Sequence, residues 1–165
     1  MGRSGAPDIP GVRWLKGKVE LMFLGRYEHS IDNKGRLTIP ARFREQLAEG
    51  AYITQGFDNN LVIMPPSYFE KMYLSINQTR MTDPDARLVK RFIFSNADQV
   101  EVDKAGRILI PQFLRSAAGL ENASVIVGAG DYLEVWSPEL WSRQQELLEN
   151  TEENNQRFAA LDISV

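Results

Sequence analysis

The chain of 165 residues has no cysteine and a single histidine, His29. Without thiols there is no disulfide framework, no thiolate zinc site and no cysteine nucleophile, and one imidazole cannot build a multi-histidine metal centre. Long apolar runs are missing too. No window approaches the roughly 18 to 20 residues that a membrane-spanning helix needs, and the stretch from Val19 to Leu24 is interrupted by Glu20 and too short for a signal-peptide core. With 12 glycines and 8 prolines, neither residue exceeds average usage, which argues against collagen-like or low-complexity structure. A basic surplus is also lacking: 19 Lys and Arg against 22 Asp and Glu leave a formal net charge of −3. As an average, that value points away from a phosphate-binding surface. These absences lead us to expect a soluble, cytoplasmic protein with no metal or other cofactor, no membrane partner, no small-molecule substrate and no enzymatic constellation of nucleophile and base.

The residues that are present form an ordinary globular mixture, 43% apolar and 25% charged, enough for one modest core. Their charge is polarised along the chain. From Arg26 to Arg44 five basic residues (Arg26, Lys34, Arg36, Arg42, Arg44) face two acidic ones (Glu28, Asp32). From Pro138 to Val165 two basic residues (Arg143, Arg157) face six acidic ones. A basic segment with an acidic tail is compatible with nucleic-acid binding, and equally with ordinary solvated faces.

An internal repeat is the most informative feature. The run Ile31-Asp32-Asn33-Lys34-Gly35-Arg36-Leu37-Thr38-Ile39-Pro40 recurs as Val102-Asp103-Lys104-Ala105-Gly106-Arg107-Ile108-Leu109-Ile110-Pro111, an offset of 71 that Arg44 and Arg115 also keep. In each copy the apolar run before the motif and the Leu/Ile-x-Ile run after it read as two short strands joined by a tight turn. Gly35 and Gly106 suit the positive φ of such a turn, and Asp32 and Asp103 are placed to accept its backbone N–H groups. Pro40 and Pro111 end the second strand and open short helices over residues 41–47 and 112–118. Two further strand pairs follow, 51–55 with 61–64 and 124–127 with 132–136, so the unit reads as hairpin, helical turn, hairpin. A unit of about 45 residues is too small to be stable alone, and we expect the two copies to pair about a pseudo-twofold axis.

Between the copies, apolar residues at helical spacing predict two helices broken around Thr82-Asp83-Pro84, and a third helix is expected from Pro138 to Glu149. The polar stretch 151–156 is expected to fray. The organisation is therefore a flexible leader over residues 1–21, with Met22 as a plausible alternative start, a first unit over 26–68, a helical connector over 69–96, a second unit over 97–140, and a C-terminal helix with an acidic tail over 141–165.

The doubled Asp-x-x-x-Arg motif, with Gly before the Arg and Ile-Pro after it, together with Met22-Phe23-Leu24-Gly25, resembles the MraZ family of bacterial transcriptional regulators, built from tandem SpoVT/AbrB-type domains. The likeness runs from Met22 to about Ser142. It implies an α+β, mainly β fold: two tandem swapped-hairpin, βαββ-type units packed as an intramolecular pseudo-dimer, with connecting and C-terminal helices. It also implies a nucleoid-associated protein that binds double-stranded DNA at short direct repeats in the promoter of the division and cell-wall gene cluster, its own gene included, as a ring-shaped homo-oligomer. An AbrB-like transition-state regulator or an antitoxin-type DNA-binding protein is the alternative. Asp32, Lys34, Arg36, Asp103 and Arg107 carry over as the DNA-proximal motif. Lys104 stands where the first copy has Asn33, and Ala105 where it has Lys34, so the two contacts differ. An arginine fork suits guanine O6 and N7, and lysine suits phosphate. The Asp–Arg spacing equally suits a salt bridge that shapes the loop. Arg42 and Arg44, on the short helix after Pro40, stand between phosphate contact and a role as helix-surface or subunit contacts.

Overall fold

A computed structural model describes residues 14–15, 18–19 and 22–163. In the leader, β1 (Trp14–Leu15) and β2 (Lys18–Val19) form a short antiparallel ladder. The rest of residues 1–21, and with it the expectation of a flexible leader, lies outside the described residues.

The strands after the leader are β3 (Arg26–Ser30), β4 (Arg36–Thr38), β5 (Ala51–Gln55), β6 (Leu61–Met64), β7 (Asp98–Val100), β8 (Arg107–Leu109), β9 (Ala123–Gly128) and β10 (Leu133–Trp136). Six of them build one antiparallel sheet in the order β3-β9-β10-β6-β5-β7. The order reads as a palindrome of the two copies. At its centre, β10 of the second copy pairs with β6 of the first, and each hairpin is then flanked by the entry strand of the other copy. The remaining strands, β4 and β8, form a separate two-stranded antiparallel ribbon in which Arg36 faces Leu109, Leu37 faces Ile108 and Thr38 faces Arg107.

The expected intramolecular pseudo-dimer of swapped hairpins is thus present, with one correction to the unit. The strands on either side of each Asp-to-Arg turn do not continue together as a regular hairpin. A single bridge joins Ile31 to Leu37, after which β3 runs into the large sheet against β9, and β4 runs into the ribbon against β8. The reason lies in the core. Leu37, Ile39, Ile108 and Ile110 are 0% exposed and join Phe43, Leu47 and Leu114 from the short helices with Ile53, Ile63, Ile126 and Val135 from the sheet in one cluster. Exchange lets both copies bury their apolar faces against each other, which a unit of about 45 residues cannot do alone.

The short helices are α1 (Ala41–Arg44), continued by a 3₁₀ turn over Glu45–Leu47, and α4 (Gln112–Ala117), each entered from the proline that closes its motif. The connector is α2 (Pro66–Asn77) and α3 (Pro84–Ser95), the latter capped by the Asp83 carboxylate accepting from Asp85 N–H at 2.9 Å. It is pinned to the sheet by Tyr52 stacked on Phe69 at 4.0 Å and by the Thr54 hydroxyl donating to the Ile93 carbonyl. Helix α5 (Pro138–Glu149) carries Trp141 against Trp136 in a small second core.

The polar stretch after it is a helix, α6 (Thr151–Ala159), and not the frayed tail expected from its composition. Low hydropathy misleads there because local hydrogen bonds hold the segment. Asn150 caps it by accepting from Glu153 N–H, buried Asn154 donates to the Leu147 and Leu148 carbonyls that end α5, and Arg157 pairs with Glu153 at 2.9 Å. Phe57 lies 75% exposed while its ring stacks on Phe92.

Candidate nucleic-acid interface

Each motif turn is a four-residue reversal closed by the Gly35 N–H donating to the Asp32 carbonyl, and by the Gly106 N–H donating to the Asp103 carbonyl. Gly35 and Gly106 hold φ of +84° and +80°, the left-handed region where a side chain is costly. The Asp32 carboxylate fills the turn: one oxygen accepts the N–H groups of Lys34 (3.0 Å) and Arg36 (2.9 Å), and the other accepts Arg36 Nε–H at 2.7 Å. Asp103 repeats this with Ala105, Arg107 and Arg107 Nε–H at 2.9, 2.9 and 3.0 Å. In both, the backbone N–H of the arginine is the main influence holding the carboxyl below its ordinary pKa, opposed by desolvation and helped by the guanidinium and the second N–H.

The loop-shaping salt bridge anticipated as an alternative therefore exists in both copies. It engages only one edge of each fork. Among the described residues neither arginine makes a hydrogen bond through its terminal Nη groups, and Arg107 Nη1 stands 3.9 Å from the Asp32 carboxylate of the other turn. About a third of each arginine side chain is exposed. The carboxylate thus fixes the guanidinium by Nε and leaves its outer edge free to bond, an ordering that reduces the entropy lost when a ligand is taken.

The ribbon brings the two turns together. Ile110 N–H donates to Gly35 C=O and Ile39 N–H to Gly106 C=O, so each turn is stitched to the exit strand of the other copy. Lys34 and Lys104 are exposed on the two turns, which gathers four cations, Lys34, Arg36, Lys104 and Arg107, at the ribbon. Arg42 is exposed on α1, with its guanidinium donating to the Tyr27 hydroxyl at 2.8 Å and lying over the Phe43 ring. Arg44 differs. Its Nε–H donates to the Ile39 carbonyl, and its guanidinium covers Gly106, filling the space a Cβ there would need.

Arg115 mirrors Arg44: its Nε–H donates to the Ile110 carbonyl, and a Cβ on Gly35 would lie 2.7 Å from its guanidinium carbon. This cross-copy arginine was not among the sequence-derived site residues. The signal for it was the shared offset of Arg44 and Arg115, which marks the pair as equivalent without saying what it touches. Among the described residues no three His, Cys, Asp or Glu side chains are grouped to hold a metal ion, and no helix is long and apolar enough to cross a membrane.

A family model described as "MraZ protein, putative antitoxin-like" matches the chain twice, over residues 22–92 and 93–162. Among similar proteins, one from Thermomicrobium roseum is 46% identical over 127 residues, covering 77% of this chain and 89% of its own length. One from Heliobacterium modesticaldum is 46% identical over 125 residues (76% and 87%), and one from Roseiflexus castenholzii is 44% identical over 138 residues (84% and 94%). Each of the three is named transcriptional regulator MraZ.

Proposed function

The chain belongs to the MraZ family, and on that premise we propose that it is a transcriptional regulator that binds double-stranded DNA through the β4–β8 ribbon and its two flanking turns. The observation that carries this is the pair of arginines, Arg36 and Arg107, each anchored at Nε by its own aspartate and set diagonally across one face of a two-stranded ribbon. The major groove of B-DNA admits a two-stranded β-ribbon, and a free guanidinium edge matches guanine O6 and N7 there, with about 1–3 kcal/mol of discrimination per bidentate pair. Lys34 and Lys104 reach phosphates on either side, and Arg42 takes a flanking phosphate. Arg44 and Arg115 hold the turns from behind.

We further propose that the targets are short direct repeats in the promoter of the division and cell-wall gene cluster, the chain's own gene included, and that the protein acts at the nucleoid as a ring-shaped homo-oligomer. Exposed apolar side chains on and beside the connector helices, Tyr73, Leu74, Met81 and Leu88, supply surface for a second copy. Assembly turns each later ribbon contact into an intramolecular one, with an avidity gain of order 10² to 10⁴. Footprinting of the wild-type protein on the DNA upstream of its gene tests the target, and protection without repeats refutes it. Light scattering tests the ring, and a monomer that binds promoter DNA tightly refutes it. Arg36→Ala tests the site. We expect affinity to fall by about 10-fold or more with fold and assembly intact, and the log–log salt slope of the wild-type protein to be about −0.9 per phosphate neutralised. Unchanged affinity in Arg36→Ala refutes the ribbon as the reading element.

A further inference from the structure

The pseudo-twofold relation between the ribbon's halves is broken on its outer face. Arg36 and Arg107 are equivalent under the offset of 71, but Thr38 corresponds to Leu109. In β4 and β8 the central residues, Leu37 and Ile108, are 0% exposed. Alternation along a strand therefore turns Arg36, Thr38, Arg107 and Leu109 to the opposite, outer face. The register pairs Arg36 with Leu109 and Thr38 with Arg107, and directly opposed side chains on one face stand about 4.5–5.5 Å apart at Cβ. One arginine thus has an exposed leucine beside it, 56% accessible, and the other has a threonine.

The surroundings follow the same break. The groove beside Leu109 is lined by Glu49, Asp98 and Glu101, which repel phosphate from that flank. In the first copy the position four residues beyond Thr38 is the cation Arg42. Four residues beyond Leu109 it is Phe113, 52% exposed. Opposite Arg107 the ribbon therefore sets a hydroxyl, and opposite Arg36 an exposed apolar side chain with carboxylates beside it.

In the major groove the one apolar feature of a base edge is the C5 methyl of thymine. We propose that Leu109 packs on the methyl of a thymine next to the guanine taken by Arg36. Thr38 offers one methyl beside a hydroxyl that bonds either kind of base edge, so the step beside Arg107 carries a weaker preference of this kind. A single chain then recognises a non-palindromic sequence and sits on DNA in one direction, although its backbone is close to twofold symmetric. The inference rests on the DNA-binding role proposed for the ribbon.

The test selects duplexes from a random-sequence pool with the full-length protein, then replaces each thymine of the selected duplex in turn by deoxyuridine, which lacks only the methyl. For the wild type we expect a non-palindromic site per chain and one thymine, beside the guanine whose preference is lost in Arg36→Ala, at which deoxyuridine weakens binding about fourfold, the effect of one buried methyl group. In Leu109→Ser that sensitivity disappears while the others persist. In Thr38→Leu the deoxyuridine effect at a thymine beside the Arg107 guanine rises to match the one beside the Arg36 guanine, and the selected site becomes closer to a palindrome. Retained methyl sensitivity in Leu109→Ser, or a palindromic site for the wild type, overturns the role of Leu109 and leaves DNA binding standing. Failure of the wild type to retain any duplex removes the DNA-binding role itself.

Discussion

Replacing Gly35 by alanine is expected to weaken the fold through two separable effects. Gly35 sits at φ +84°, and holding a residue with a Cβ in that region costs about 1–2 kcal/mol. The added Cβ would also stand 2.7 to 2.9 Å from the carbon and nitrogens of the Arg115 guanidinium. That group is the far end of a flexible side chain, so it moves aside, and in moving gives up the 3.0 Å bond from its Nε–H to the Ile110 carbonyl. Bonds to charged groups contribute about 1.5–3 kcal/mol when shielded; Arg115 is only half-buried, and about 1 kcal/mol is the fitting share. The sum is about 2–3 kcal/mol, or about 4–12 °C in Tm for a domain of this size. Thermal and urea unfolding of Gly35→Ala, Arg115→Ala and the double variant read the two effects apart. In the Arg115→Ala background the steric part is already gone, so Gly35→Ala should cost only its φ contribution, a coupling of about 1 kcal/mol. Strict additivity would refute the cross-copy clamp.

The other expectations follow from the same contacts. The Asp32 and Asp103 carboxyls are lowered in the fold, so their stabilisation is full above the ordinary aspartate value and is lost as pH falls through the lowered values. Urea midpoints across an acid series should therefore drop less steeply below about pH 4 for Asp32→Asn with Asp103→Asn than for the wild type, and parallel curves would count against the turn geometry. Asn154→Ala removes both side-chain bonds to the end of α5; hydrogen exchange should show loss of protection over residues 151–159 and an unchanged sheet, and global destabilisation would contradict a locally held helix. Leu37→Ala and Ile108→Ala each empty a fully buried position of the ribbon and should each cost about 2–5 kcal/mol in urea unfolding; a loss under about 1 kcal/mol for either would mean that the ribbon is not part of the core.

The averaged charge of −3 is a poor guide to this surface because the fold sorts the charges. Lys34, Arg36, Lys104 and Arg107 come from two segments separated by 71 positions and meet on the ribbon, while Glu146, Glu149, Glu152 and Glu153 lie on α5 and α6. Local field, and not the sum over the chain, governs what a phosphate meets.

By itself the sequence determined whatever depends on neighbours a few positions away. The glycines at positive φ, the aspartates accepting turn N–H groups, the prolines opening α1 and α4 and the strand pairs β5–β6 and β9–β10 were all legible, as were the connector helices either side of Thr82-Asp83. The Asp–Arg ion pairs were legible as one of two readings. Tertiary structure alone decided which copy each strand joins. Two copies with one apolar pattern offer equivalent partners within and between units, and alternation along a strand is satisfied by either. Only burial of both apolar faces in a shared core selects exchange, placing β3 on β9, β7 on β5 and β4 on β8. From that exchange follow Arg44 against Gly106 and Arg115 against Gly35, contacts between residues that have no local relation in the chain. The same exchange sets Leu109 beside Arg36, because register across a swapped ribbon is fixed by long-range packing and carries no trace in either copy alone.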